Sequence, residues 1–276
     1  MRSDQSALHR GAVASNLGDV CWADLSAVNL HAAQQFYGAV FDWEFESADE
    51  LGYAIALKDG APVAGIVAAP DSGQPHWGLY LSTPDVASAV STAVDAGGTC
   101  LWGPSPVDPL AVVATVADPS GVSIGLWQAA EFDGFSGGGV GTVGMAELAT
   151  TDRQASADFF AAFGIDGIHH SASGLDMLAI DGSPIALVSM AEDELLTWRT
   201  YFEVADVDTS LDAVVRHGGE ILVPGRDIAG LGRLAVVTDP MGAPFGLVGP
   251  IVPEARAATA SEGPVDNAGF SLRLNL

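Results

Sequence analysis

The sequence predicts an α+β fold: tandem domains, each assembled from two βαβββ modules whose curved mixed sheets form clefts. Three observations predict it. Short landmarks recur in order at an offset of about 122 residues, which signals an internal duplication. They pair Asn29-Leu30 with Asp152-Arg153, Lys58-Asp59-Gly60 with Ile180-Asp181-Gly182, and Asp85-Val86 with Asp206-Val207. Gly97-Gly98 likewise pairs with Gly218-Gly219, and Asp118-Pro119-Ser120-Gly121 with Asp239-Pro240-Met241-Gly242. Both copies also alternate strand-like and helix-like stretches in the same order. Finally, 276 residues with 49% apolar and 16% charged side chains are enough for two cores and exclude a disordered chain.

Each copy opens on a short strand with alternating residues, Val20 to Leu25 or Val143 to Leu148. A helix follows, capped by Asn29 or Asp152, with Ala33, Phe36, Tyr37 and Val40 on one face in the first copy. The Asp-Gly pairs at 59-60 and 181-182 mark hairpins. A strand through Leu79-Tyr80-Leu81, or Thr200-Tyr201-Phe202, leads to a second helix capped by Asp85 or Asp206. That helix stops at a Gly-Gly pair, since glycine takes the left-handed position after a helix without strain. Two final strands flank the Asp-Pro-x-Gly turn. The expected boundaries are an N-terminal extension (1–17), a first domain (18–130), a Gly-rich linker (131–141), a second domain (142–250) and a flexible tail (251–276).

Composition narrows the function. Asp and Glu number 35 against 10 Lys and Arg, for a net charge of -25. The imbalance is a shortage of bases, with Lys58 the single lysine. Such a surface repels nucleic acid and anionic membranes and attracts cations. No apolar run reaches the roughly 20 residues that span a bilayer, and Met1 to Asn16 lacks the apolar stretch of a secretory signal. Cys21 and Cys100 have neither disulfide nor metal spacing and read as buried free thiols, which suits a reducing cytoplasm. No nucleophile elbow, phosphate loop or dinucleotide fingerprint is present, so no nucleotide cofactor is implied.

The strand-Asn/Asp-helix-Phe-Tyr entry, the Asp-Val helix with its Gly-Gly stop, and the Asp-Pro-x-Gly turn together resemble the vicinal oxygen chelate superfamily. That superfamily holds glyoxalases, extradiol dioxygenases and bleomycin-resistance proteins. The resemblance covers roughly residues 18–128 and 141–249, and it is greatest to two-domain actinomycete members, some of which accompany antibiotic biosynthesis or resistance. It implies a divalent metal held by His, Gln or Glu on the sheet face turned away from the helices. Counted from the landmarks, the implied ligand positions are Trp22, Gly78 and Gly125 in the first copy and Met145, Arg199 and Gly246 in the second. None is a usual ligand, so no metal and no other cofactor is expected. A divergent site at His76, two residues from Gly78, with Asp24 or Glu147 is the weaker alternative.

Strand alternation places Trp22, Asp24, Tyr80, Trp127, Met145, Glu147, Arg199, Tyr201 and Glu203 on the face of the missing ligands. The aromatics could stack on a flat ligand, and Asp24, Glu147 or Glu203 could pair with an amine. Glycine at 78, 125 and 246 would widen the pocket. Structural readings stand beside these: Trp22 and Trp127 as core, Asp24 and Glu147 as caps of neighbouring turns, Arg199 in an ion pair with Glu147 or Glu203. His169-His170 read as a solvated hairpin, and Trp102 as a cleft rim or a hydrophobic plug. The leading expectation is a binding protein for an aromatic, cationic natural product, monomeric with an internal pseudo-dimer, with a biosynthetic enzyme as the further candidate partner. The alternative is a cofactor-less isomerase or cyclase in which Asp24, Glu147 or Glu203 acts as base and Arg199 stabilises an enolate.

Overall fold

The computed structural model describes residues 18–48, 52–68, 74–135, 138–170, 174–191 and 196–252. The expected N-terminal extension and residues 253–276 of the expected tail lie outside them.

The first half runs β1 (Val20–Ala27), α1 (Leu30–Phe41), β2 (Glu44–Ala48), β3 (Tyr53–Lys58) and β4 (Ala61–Ala68). Then come β5 (His76–Ser82), α2 (Val86–Asp95), β6 (Thr99–Val107), β7 (Ala111–Ala117) and β8 (Ser123–Ala129). The second half repeats the order as β9 (Val143–Thr150), α3 (Arg153–Ala161), β10 (Asp166–His170), β11 (Asp176–Ile180) and β12 (Ser183–Met190). It continues with β13 (Thr197–Glu203), α4 (Val207–Arg216), β14 (Glu220–Ile228), β15 (Gly232–Thr238) and β16 (Pro244–Gly249). Both eight-stranded sheets have one strand order, β2-β3-β4-β1-β5-β8-β7-β6 and β10-β11-β12-β9-β13-β16-β15-β14. Within each, the first strand runs antiparallel to the fifth, which runs parallel to the eighth.

Each helix starts where its sequence provides an acceptor. Asn29, Asp85, Asp152 and Asp206 are extended, and their side chains accept from backbone amides of the first helical turn. The Ser88 amide and hydroxyl hold the Asp85 carboxyl below the usual carboxylate range, and the Thr209 hydroxyl and amide do the same for Asp206. Gly97 and Gly218 have φ of 88° and 91°, the left-handed geometry expected after a helix.

One apolar core spans both halves. It joins Leu25, Leu79 and Leu81 of the first sheet to Leu148, Phe202 and Phe245 of the second through the helices between them. Tyr37 is packed among Trp43, Trp77 and Phe245 at centroid distances of 5.7, 5.3 and 5.5 Å. The second glycine of each Gly-Gly pair serves this packing. A Cβ on Gly98 would lie 2.4 Å from the Ala117 carbonyl oxygen and 2.5 Å from the Phe159 ring, and one on Gly219 would lie 2.3 Å from the Thr238 carbonyl oxygen and 3.2 Å from the Phe36 ring. The Gly-Gly stop is therefore also a docking notch for an aromatic side chain from the other half.

Candidate functional site

The faces turned away from the helices carry two smaller apolar clusters. In the first half Trp22, Tyr53, Ile55, Leu57, Val113 and Trp127 come together with Leu110 and Phe132. Tyr201, Leu234 and Val236 do so in the second, with Met145 and Val248 against them.

Strand register brings the first and third expected metal-ligand positions of each half together through a tyrosine, Tyr80 or Tyr201, whereas the expected middle positions, Gly78 and Arg199, lie two residues along, opposite Asp24 and Glu147. Trp22 pairs with Tyr80 and Tyr80 with Gly125; in the second half Met145 pairs with Tyr201 and Tyr201 with Gly246. A Cβ on Gly125 would stand 2.2 Å from the Tyr80 ring, and one on Gly246 would stand 2.1 Å from the Tyr201 ring. The glycines at 125 and 246 thus do not widen a pocket: tyrosine rings fill the space their side chains would take. A row of indole or thioether, phenol and glycine does not fit a divalent cation that needs several N or O donors. His76 is exposed, its Nδ1 lies 2.9 Å from the Gln74 carbonyl, and no group of three metal-ligating side chains occurs among the described residues.

The aromatic surface expected to stack on a ligand is covered by the chain itself. Trp22 is fully buried, with Phe132 edge-on at 4.7 Å and Phe135 at 5.3 Å. Its Nε1 donates to the Tyr53 hydroxyl at 2.7 Å, while Trp127 Nε1 donates to the Phe132 carbonyl at 3.1 Å. Trp22 and Trp127 are core residues, as is fully buried Tyr201. The segment expected to be a linker supplies the cover: Phe132 is buried and the Phe135 amide donates to the Cys21 carbonyl. The same burial pushes the Cys21 thiol up to about 12. Beside Phe135 a cleft of about 340 Å³ opens between the halves, lined by Asp19, Cys21, Asp133, Val143 and Met145 among others.

Next to the metal-ligand row stand two carboxylates in matching registers, Asp24 opposite Gly78 and Glu147 opposite Arg199. Each accepts from a tyrosine. Tyr80 donates to Asp24 Oδ2 at 3.1 Å, and Tyr201 donates to Glu147 Oε2 at 2.7 Å. Their surroundings differ. Glu147 is fully buried and takes two further bonds, from Arg199 Nη1 at 2.5 Å and from Ser189 Oγ at 2.6 Å. The Arg199–Glu147 ion pair is the structural reading of these two residues, and it leaves neither free for an outside ligand or an enolate.

Asp24 is only half-buried, as are Gly78 and Tyr80. Its strand neighbours are glycines on both sides, Gly65 on β4 and Gly78 on β5. The Tyr53 hydroxyl occupies the space over Gly65, where a Cβ would come within 1.9 Å of it. Among the described residues no lysine or arginine pairs with Asp24. Desolvation therefore prevails, and although the Tyr80 bond and nearby His76 oppose it, the Asp24 carboxyl is pushed up to about 6. The Tyr80 and Tyr53 hydroxyls are pushed well above their ordinary value, first by burial and then by the Asp24 charge.

Other expected site residues lie elsewhere. Glu203 is half-buried at the far end of β13, beyond the Met145–Tyr201 row. Trp102 is 52% exposed on edge strand β6, so it plugs nothing among the described residues. His169 is exposed in β10, and the His170 side chain lies outside the description. The missed contributors are Gly65, Tyr53, Phe132 and Ser189. Only the Tyr53 and Ser189 polarity could have hinted at a role, since sheet pairing alone brings Gly65, Tyr53 and Ser189 to the carboxylates, and Phe132 reaches Trp22 and Trp127 from outside any strand.

Residues 21–126 match the family described as "Glyoxalase-like domain". Over 246 residues the chain is 28% identical to CFP32 of Mycobacterium tuberculosis (strain CDC 1551 / Oshkosh), a candidate glyoxylase, covering 83% of this chain and 94% of that protein. It is 27% identical over 258 residues to the anthracycline biosynthesis protein DnrV of Streptomyces peucetius, covering 84% and 93% respectively. A Mn(II)-bound glyoxalase from Novosphingobium aromaticivorans superposes with a TM-score of 0.60 at 16% identity, over 86% of this chain and 84% of that one. A catechol 2,3-dioxygenase superposes with a TM-score of 0.58 at 12% identity, over 90% and 97%.

Proposed function

We propose, from the premise that this chain belongs to the vicinal oxygen chelate superfamily, that it binds an organic cation with an aromatic body and does so without a metal. The site is the Asp24–Tyr80 pair of the first half. One observation carries the reading: Asp24 is half-buried and, among the described residues, pairs with no lysine or arginine and has only the His76 imidazole nearby, whereas its counterpart Glu147 is sealed by Arg199. An ammonium group placed against Asp24 would supply the missing charge through a charge-assisted hydrogen bond. The acidic surface would draw such a ligand in. Two relatives named for anthracycline biosynthesis support a role beside a natural-product pathway, as sequestration of a drug or relief of product inhibition for a biosynthetic enzyme.

The second reading is a cofactor-less isomerase or cyclase of a polyketide-like substrate. Its support is the Asp24 carboxyl at about 6, a value suited to a general base near neutral pH. Arg199 cannot serve it, being locked to Glu147 in the other half.

Tryptophan-fluorescence titration with polycyclic aromatic amines and their neutral analogues, followed by mass spectrometry of the recovered ligand, tests both. Saturable quenching by the amines with ligand recovered unchanged is expected. Equal response to the neutral analogues would remove the cation-binding reading, and chemical conversion would establish the second.

A further inference from the structure

The two halves place the same carboxylate–tyrosine pair in the same register but differ at the position opposite the carboxylate. In the second half that position is Arg199, whose guanidinium is 5% exposed and reaches Glu147 Oε2 at 2.5 Å. In the first half it is Gly78, and no side chain rises there. Packing does not require this glycine. A Cβ at Gly78 would meet Asp24 Oδ1 at 3.4 Å, the Asp24 carbonyl oxygen at 3.8 Å and the Tyr80 ring at 3.9 Å, all ordinary contacts. Its backbone is not in the left-handed region either. Gly125 is the contrast, with the Tyr80 ring at 2.2 Å. The same distances give direction. Asp24 Oδ2 is taken by Tyr80, while Oδ1 faces the space over Gly78 and has no donor among the described residues.

We infer that Arg199 is a built-in stand-in for the ligand's cation, and that in the first half an amidinium, guanidinium or ammonium group lies over Gly78 against Asp24 Oδ1. Gly78 is then the residue that leaves one site open, and Arg199 the residue that plugs the other. The inference rests on the binding reading above and adds the placement of the charged group.

The probe is benzamidine, with neutral benzamide as its near-isosteric control, measured by calorimetry on the full chain. Wild type binds benzamidine about tenfold or more tightly than benzamide, as a charge-assisted bond requires. Gly78→Arg rebuilds the ion pair of the second half and lowers benzamidine affinity about tenfold or more. Arg199→Gly opens the plugged site and adds a second equivalent of bound benzamidine. A folded Gly78→Arg that binds benzamidine like wild type overturns the inference. Should that variant not fold, Asp24→Asn takes its place, and unchanged affinity there overturns the inference equally. Wild type that binds neither benzamidine nor polycyclic amines defeats the binding reading itself. Wild type that binds them, with Gly78→Arg indifferent, defeats only the placement.

Discussion

The Tyr37 hydroxyl donates to the Asp239 carboxylate at 3.2 Å, tying the first helix of one half to the last turn of the other. The reciprocal contact is Ser156 Oγ to Asp118 Oδ2 at 2.5 Å. Each aspartate also caps its own Asp-Pro-x-Gly turn: Asp118 accepts from the Ser120 and Val122 amides, and Asp239 from the Met241 and Ala243 amides. One carboxylate thus closes a turn and holds a neighbouring domain. Tyr37→Phe keeps the ring packing but removes two buried bonds, the one donated to Asp239 and the one accepted from Trp77 Nε1 at 3.0 Å, so a loss of at least about 1–3 kcal/mol in urea unfolding is expected. Asp239→Ala should cost more, because two backbone amides lose their acceptor as well.

The Asp24 carboxyl gives stability a definite pH dependence. Its folded value of about 6 lies above the 3.8 of the unfolded chain, so between those values the folded state holds more protons than the unfolded one. The burden of the buried charge is absent below about pH 4 and complete above about pH 6. The groups facing it are the Tyr80 and Tyr53 hydroxyls and the His76 imidazole. Asp24→Asn should therefore raise the melting temperature at pH 7.5 and leave it nearly unchanged at pH 4. Cation binding should run the other way, weakening in wild type as pH falls through 6. Calorimetric scans and titrations over that range measure both, and a stabilisation independent of pH would contradict the assignment.

Arg199 and Glu147 form a buried ion pair inside a network that also holds Tyr201 and Ser189. Removing one charge leaves the other without compensation, so Arg199→Met should cost about 3–5 kcal/mol. Glu147→Gln in the same chain removes the orphaned charge while keeping an acceptor for the two hydroxyls. The double variant should regain much of the loss, with a coupling above about 1 kcal/mol in a double-mutant cycle. Additive losses would show that the pair is not the unit of stability.

The element order was legible because it rests on local chemistry. The caps at Asn29, Asp85, Asp152 and Asp206, the glycines after the helices and the Asp-Gly hairpins all act within a few residues of themselves. Strand alternation also assigned Trp22, Asp24, Tyr80 and Glu147 to one face. What alternation cannot tell is what lies over that face. Trp22 is covered by Phe132 and Phe135, about 110 residues away in a segment whose glycines mark it as a connector. The Asp-Pro-x-Gly turns read as turns, while their second bond, to a helix of the other half, has no signature in spacing. Glycine was ambiguous in a similar way. Gly78 leaves room, whereas Gly125 and Gly246 are filled by rings from the adjacent strand, and only the register distinguishes them.

That difference yields a further test. Gly125→Ala would put a Cβ within 2.2 Å of the Tyr80 ring, so the ring must leave its place or the strands must part. Overpacking of this kind costs about 1–3 kcal/mol. Displacing Tyr80 would also take its hydroxyl from Asp24 Oδ2, removing a bond that holds the Asp24 carboxyl down. Gly125→Ala should therefore lower stability and raise the Asp24 titration above its wild-type midpoint together, as followed by NMR of the carboxyl carbon. Tyr80→Ala, which vacates the space, should make the added Gly125→Ala nearly neutral in stability. If alanine at 125 is equally costly with and without the ring, the Tyr80–Gly125 contact is not the reason for the glycine.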